Sequence, residues 1–501
     1  MISTNILNDL GQNNTVETSL EKLKTYEVCN PLVRFGRTPQ CAIKPKDVPE
    51  LQKLIRMAKE KKFGLVPVSS GGPHIKGGIA CSADHAIVDL VEWNKISWVN
   101  RRNRVCFVEP GVTYGELNNI LKDYGMTLPT PLAPRNTKSV LASTIDREPH
   151  IWPRMQWDLQ DPVACTEFIY GTGELFRSGA AGGPGTLEEQ RKSKGAQKMP
   201  MGPGQTDFQR ILIGAQGSMG IMTWISLRTE LLPSIERPMM VVGDQLSRII
   251  EYVYEVQRPW LGEHTFILNR LAAAMLMTCG HPSSFDRVRD SLPEYICMQN
   301  IAGFERLPAE RLEYQYEELK NMAGGNGLKL IDSVGEIEAP VLLKTAQSAC
   351  GPRDWRHVIK GHCLSVFFLS LLNNSEKYIA VVRESARSFN IPDEQIGIYI
   401  QPVIQNHACH IEFMVPFNPD DAHEVENMKK YEANVTERLI KAKAFFSRPY
   451  GKAAEMVFKN NPGNTELIRV IKGLFDPENI LNPGKFYLKG FSPDSAVSKT
   501  R

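Results

Sequence analysis

Ser69-Ser70-Gly71-Gly72-Pro73-His74-Ile75-Lys76-Gly77-Gly78 places four glycines and two serines within ten residues. The run follows directly on an apolar stretch of strand type, Leu65 to Val68. Backbone without Cβ atoms can approach a ligand closely, and successive free N–H groups in such a turn form an anion-binding concavity whose usual guest is a pyrophosphate. The loop has neither the GK[ST] of a P-loop nor the G-x-G-x-x-G of a dinucleotide-binding βαβ unit. A glycine-rich turn by itself is also ordinary turn chemistry. A second cluster strengthens the ligand-binding reading: Gly214-Ala215-Gln216-Gly217-Ser218-Met219-Gly220-Ile221-Met222-Thr223 repeats glycine every third residue and leads into a strand, Trp224 to Leu227. The ten cysteines include no CxxC pair and no Cys/His spacing of a zinc site, so no metal is expected.

These loops need elements to hold them. Asp47 can cap a helix with Pro49 in its first turn and Leu51, Leu54, Ile55 and Ala58 on one face. Strands from Ala86 to Leu90 and Val105 to Val108 bracket a turn at Asn100 to Asn103. Thr113 and Glu116 form a capping box, and Gly125 ends that helix. Ser178 to Gln205, rich in glycine and proline, reads as a long surface loop. After Pro233 glycine-rich turns become rare, and a strand pair, Gly397 to Gln405 and His410 to Val415, follows. The tail is a short helix from Thr465 running into Asp476-Pro477-Glu478-Asn479-Ile480-Leu481-Asn482-Pro483-Gly484-Lys485. The mixture predicts an α+β protein with units at 1–235 and 236–454 and a segment, 455–501, that returns to the first.

Composition sets the outer bounds. With 501 residues, 42% hydrophobic and 23% charged, the chain has the balance of a globular protein with more than one core. A formal charge of +3 without basic runs argues against nucleic-acid binding. The longest apolar stretch, Cys363 to Leu372, is half of the ~20 residues needed to span a bilayer. It reads as a buried strand. Neither a charged start nor an apolar core follows Met1, so no secretory signal is expected, and the scattered cysteines suit a reducing cytoplasm.

Four ordered motifs resemble the flavin-linked oxidase superfamily named for vanillyl-alcohol oxidase and para-cresol methylhydroxylase (the PCMH type). Val66 to Gly78 is similar to its pyrophosphate loop. Cys106 to Leu117 resembles its V-E-P-G-V-T-Y strand-to-helix signature, Gly217 to Thr223 its G-I-V-T strand entry, and Asp476 to Lys485 its terminal D-P-x-x-I-L-x-P-G-K. The resemblance implies an FAD-binding domain made of the N-terminal part and the tail, covered by a central cap domain. Ser69, Ser70, Gly71, Gly72, Pro73, His74, Gly77 and Gly78 would wrap the pyrophosphate. Pro110, Gly111, Val112, Gly217, Gly220 and Ile221 would line the adenine side. Ser139, Ser143 and Ile145 would run along the flavin, and Asn482 and Lys485 would close the far side.

By the same resemblance the enzyme would pass hydride from a phenolic or aromatic alcohol to the flavin. The competing readings are a 2-hydroxyacid dehydrogenase and an electron-relaying flavin subunit without its own substrate. Tyr450 falls where a phenolate-binding tyrosine belongs, but the adjacent arginine is replaced by Gly451, with Arg448 and Lys452 close by. Lys76 replaces a tyrosine of the loop, and Asp146-Arg147 matches the family's acidic-Arg pair. A lysine can still hold an anionic oxygen, being a compact charge with three donors. The plain alternatives are a solvated lysine, a buried aromatic and a loop-supporting ion pair. Non-covalent FAD is the preferred expectation, with attachment through His407 or His410 as the alternative; His407 is the favoured contact of the two. Oxygen or an electron-accepting protein would take the electrons, and the relatives' habit implies a homo-oligomer.

Overall fold

The structure, a computed structural model, describes residues 2, 15–27, 29–33, 38–77, 84–155, 162–192, 197, 199–200, 202, 208–403 and 407–485. Gly78, expected in the glycine loop, lies outside them.

The chain begins with a four-stranded sheet in the order Thr15–Glu17, Ala42–Lys44, His85–Asp89, Gly64–Val68. The last three strands are parallel. The Val48–Lys61 helix makes the crossover between Ala42–Lys44 and Gly64–Val68. Asp47 caps it by accepting the Glu50 N–H at 2.9 Å, and Leu51, Leu54, Ile55 and Ala58 form its buried face. An antiparallel five-stranded sheet follows, ordered Ile96–Asn100, Val105–Val108, Gly220–Arg228, Val163–Tyr170, Leu175–Arg177. Against it packs the Tyr114–Asp123 helix, held at its start by the Thr113/Glu116 capping box.

The third sheet has seven antiparallel strands, running from Leu330–Ile331 through Ile235–Gly243, Tyr295–Gly303, His264–Asn269, Gly397–Val403 and Ala408–Phe417 to His362–Ser370. Side chains alternate across it. One face carries Ile267, Ile398, Ile400, Ile411, Phe413, Val366 and Phe368 into a core shared with four long helices. Each fully buried aliphatic or phenyl group there contributes about 1.5–3 kcal/mol. The opposite face begins as core, with Phe266, Leu268, Tyr399 and Met414, and then turns polar. Register puts Phe367 and Tyr399 on either side of Glu412, and Leu369 and Gln401 on either side of His410.

The tail returns to the N-terminal sheets. Ile468, Ile471 and Phe475 of the Pro462–Phe475 helix pack on the five-stranded sheet's core, and Leu481 bridges in parallel to Leu65. The Lys472 ammonium is buried, bonding to the Asp476 carboxylate, the Ser218 carbonyl (2.7 Å) and the Leu481 carbonyl (3.2 Å). One sequence expectation needs correction. The stretch from Ser178 is not simply surface loop, because Ser178, Gly179, Ala181, Gln190 and Gln197 are buried. The Gln190 amide bonds the Ala181 and Gly183 carbonyls, so polar side chains satisfy the irregular backbone from within.

Candidate functional site

The glycine loop is tied down through its carbonyls. Arg135 donates to the Pro73 carbonyl at 2.8 Å, Thr137 to that of Gly72 at 3.2 Å, and the Cys29 N–H to that of His74 at 2.9 Å. Within 70–77 the Gly71 N–H donates to the Thr137 carbonyl at 3.0 Å, and His74 stands in a β-bridge. A loop held largely through its carbonyls, with glycines at 71, 72 and 77, fits an anionic guest. The Ser70 hydroxyl accepts the Ser139 N–H at 3.0 Å; the Ser139 hydroxyl donates to the Pro110 carbonyl, and the Val140 N–H reaches the Val112 carbonyl at 2.9 Å. Ser70, Pro110, Val112 and Ser139 therefore meet at one place. Gly111 is fixed by sterics, since a Cβ there would collide with the Val91 carbonyl. Ser69 follows directly on the Gly64–Val68 strand. His74 is buried beside Tyr26, and burial pulls its imidazole down to about 4.

The second glycine cluster and the tail close on the same region. Gly217 has φ +71, and a Cβ there would lie 2.8 Å from Pro67; Gly220 opens its strand and Ile221 is buried next to it. The Asn482 N–H donates to the Leu65 carbonyl at 2.7 Å and its side-chain amide to the Gln216 carbonyl at 2.5 Å. Lys485, partly exposed, ends the described chain.

Facing the loop is the polar part of the seven-stranded sheet. The Lys76 ammonium lies 4.2 Å from the Phe367 ring centroid, and the Arg448 guanidinium 4.6 Å from the same centroid. Burial lowers the Lys76 pKa. Among the described residues its ammonium has no hydrogen-bond or ion-pair partner. Arg356 is fully compensated, with two bonds of 2.9 Å to Glu412 and one of 3.2 Å to Asp354. Burial alone would raise the Glu412 carboxyl, but the Arg356 guanidinium and His410 hold it well below the carboxylate range. His410 is buried 3.8 Å from Glu412, and desolvation takes it to about 4.

Tyr450 donates its hydroxyl proton to Asp146, whose other oxygen lies 3.8 Å from Arg448. Burial raises the Asp146 pKa against the pull of Arg448 and Lys138. Ser143 takes the Tyr114 hydroxyl proton at 3.0 Å and passes its own to Glu148, which Lys138 also holds at 2.7 Å. Ile145 packs partly buried against the five-stranded sheet's core. Arg147 donates to the Ser447 carbonyl at 2.7 Å.

The structure thus brings Lys76, Asp146, Arg147, Tyr450 and His410 to one region. It does not bring Lys452, which is exposed and paired with Glu455 at 2.9 Å, one helical turn away. His407, the favoured histidine of the sequence reading, is exposed in the turn before Ala408–Phe417, whereas His410 lies among the buried charges. Sequence reasoning missed Phe367, Arg356 and Glu412. Period-two alternation along Ala408–Phe417 would have placed Glu412 on the His410 face, whereas Phe367 reaches it only through the register of His362–Ser370. Among the described residues no three His, Cys, Asp or Glu side chains are grouped to hold a metal, and no helix is long and apolar enough to cross a membrane.

Comparison with known proteins gives two family matches, the FAD binding domain over residues 39–179 and the C-terminal domain of FAD linked oxidases over residues 378–486. The chain is 21% identical over 459 residues to a D-2-hydroxyglutarate dehydrogenase of Stutzerimonas stutzeri (strain A1501), covering 90% of this chain and 92% of that protein. It is 24% identical over 276 residues to the flavoprotein subunit of 4-cresol dehydrogenase (hydroxylating) of Pseudomonas putida, covering 54% and 50%. The crystal structure of p-cresol methylhydroxylase with substrate bound superposes with a TM-score of 0.81 at 16% identity, over 98% of both chains.

Proposed function

We propose a substrate class for this chain, which belongs to the PCMH-type FAD-linked oxidase superfamily and is an FAD-dependent oxidoreductase: a phenol-type anion whose charged oxygen docks between Lys76 and Arg448. The observation that carries this reading is the Lys76 ammonium, held on the Phe367 ring with no hydrogen-bond or ion-pair partner among the described residues, Glu412 and Asp354 acting on it only from beyond contact distance. An unpaired cation in such a place is costly unless a ligand supplies the missing charge. Phe367, Tyr399 and Tyr450 give the region aromatic walls suited to an aryl group.

FAD, when bound, supplies the two-electron acceptor for a hydride leaving the substrate carbon. The residues proposed to hold it are the 69–77 glycine loop, the Ser139 turn and the Asn482 turn. The chain's own part in the reaction is binding and proton placement. Because the single hydroxyl proton of Tyr450 is committed to Asp146 Oδ1, Tyr450 offers the substrate a lone pair rather than a donor. Donors to the anionic oxygen are then Lys76 Nζ and Arg448. Asp146, with its raised pKa, is suited to take the proton that Tyr450 receives from a substrate hydroxyl. In this reading His410, not His407, is the cap histidine nearest the reacting groups.

A second reading, a 2-hydroxyacid, draws support from the two separate cations, which match the two oxygens of a carboxylate, and from the dehydrogenase relative that the chain covers almost completely. Anaerobic titration of the yellow holoprotein separates them. The phenol reading expects bleaching near 450 nm (about that wavelength for any oxidised flavin) by 4-alkylphenols or aryl alcohols, and bleaching by 2-hydroxyacids alone would replace it with the second.

A further inference from the structure

The Arg448 guanidinium makes no hydrogen bond of its own among the described residues; its contacts are the Phe367 ring at 4.6 Å and the Asp146 carboxylate at 3.8 Å. Its position must therefore be set by the backbone on which it stands. Both carbonyls flanking that residue are held from the opposite side of the site. Arg147 Nη2 donates to the Ser447 carbonyl at 2.7 Å, and Gln216 Nε2 donates to the Pro449 carbonyl at 3.0 Å. We infer that Arg147 and Gln216 form a two-point backbone clamp that sets Arg448 and Tyr450 in place, and so act as positioning residues for the anionic substrate group.

Four further features support a clamp rather than two chance contacts. Both donors sit in left-handed backbone, Arg147 at φ 58 and Gln216 at φ 53, a conformation that non-glycine residues adopt rarely and that aims both side chains across the site. Gly214 lies against the Arg147 guanidinium so closely that a Cβ would stand 2.7 Å from Nη2, which fixes the arginine's course. Gln216 is itself anchored, because its carbonyl accepts the Asn482 amide at 2.5 Å. The clamp thus joins the second glycine cluster and the tail turn to the one segment, 447–450, that carries both Arg448 and Tyr450. Pro449 between the two carbonyls restricts φ and makes the segment stiff enough for two bonds to define it.

The inference rests on the reading that Arg448 touches the substrate's anionic oxygen, and the test separates the two. Benzoate is titrated into holoprotein as the probe, and its affinity is read from the perturbation of the flavin absorbance, with flavin content and thermal unfolding measured alongside. Gln216→Leu should weaken benzoate binding about 2- to 12-fold, and Arg147→Met about 10- to 150-fold, the ranges for losing a neutral and a charged hydrogen bond. Flavin content should stay at the wild-type level in both. If the clamp acts through Arg448, neither substitution weakens benzoate further in an Arg448→Met background. Equal losses in both backgrounds, or unchanged binding in Gln216→Leu and Arg147→Met while Arg448→Met binds poorly, would overturn the clamp alone. Unchanged binding in Arg448→Met would overturn the substrate reading and the clamp with it.

Discussion

The Tyr450 hydroxyl donates to the Asp146 carboxylate although 304 residues separate them in the chain. Asp146 follows a short helix of the N-terminal region, and Tyr450 caps the Gly451–Asn460 helix after the large sheet has been completed. Asp146 also has Arg448 at 3.8 Å, while the Tyr450 hydroxyl donates to Asp146, and each of the two shifts the other's proton affinity. Burial and the Asp146 charge together raise the Tyr450 pKa well above its usual value.

Tyr450→Phe should therefore destabilise the holoprotein by about 1–3 kcal/mol, the range for losing a hydrogen bond to a partly buried carboxylate. Denaturant unfolding measures it. A change below a few tenths would mean that the two groups do not share a proton in solution.

Lys76→Met should separate stability from binding. Removing an unpaired, desolvated cation should leave the midpoint of unfolding unchanged or raised. Benzoate affinity should fall about 10- to 150-fold, as expected for one charge-assisted hydrogen bond. A lower unfolding midpoint with unaltered affinity would make Lys76 a structural residue.

The glycines divide into two kinds. Among the described residues, a Cβ at Gly77 meets no atom within 4 Å, and one at Gly72 meets the Thr25 carbonyl at 3.4 Å and His74 Nε2 at 4.0 Å. Gly77→Val should fold normally yet come away colourless, because the added bulk occupies ligand space alone. Gly111→Ala, in contrast, meets the Val91 and Trp93 carbonyls and should cost about 1–3 kcal/mol or more, on the scale of overpacked cores. Circular dichroism and flavin absorbance on the two variants check the contrast; a yellow Gly77→Val would remove the loop from the cofactor site.

Acidification should destabilise the protein through its buried imidazoles. His264 is held near 3 and His74, His357 and His410 near 4, each chiefly by desolvation, against an ordinary 6.5. Between pH 6.5 and 4 the unfolded chain binds protons that these rings refuse, so stability is full above 6.5 and falls as pH drops toward 4. Each ring contributes on the order of 3 kcal/mol across that window. His264 is fixed by amides of Asn300 and Gln347, both at 3.1 Å, and His264→Gln should flatten the slope measured by urea unfolding at several pH values.

Acid precipitation should release the flavin into the supernatant, in keeping with non-covalent binding. A yellow pellet lost in His410→Ala but kept in His407→Ala would establish attachment at the buried histidine.

Local signals carried well from sequence to structure. Asp47, Thr113 and Glu116 cap their helices through bonds spanning three residues, so their type and spacing suffice. The two glycine clusters were legible because backbone chemistry is written in glycine. What the sequence could not give was pairing at long range. Phe367, Glu412 and Tyr399 become neighbours only through the register of three strands, and Arg356 joins them from a single 3-10 turn. Lys452 misled for the complementary reason: two residues beyond Tyr450, a new helix has begun and its side chain points outward to Glu455.

The buried Lys472 reaches back across 254 residues to the Ser218 carbonyl. During synthesis the second glycine cluster emerges long before this partner exists. At roughly 5–20 residues per second the gap lasts on the order of 13–50 s. Throughout it, the turn that carries Gln216 has neither its lysine nor its Asn482 amide, and for most of it the 447–450 segment that Arg147 and Gln216 hold is still unmade. Completion of that turn accordingly waits for the Pro462–Phe475 helix and the Asn482 turn behind it, and a ribosome stalled before them would carry the second glycine cluster without its anchors.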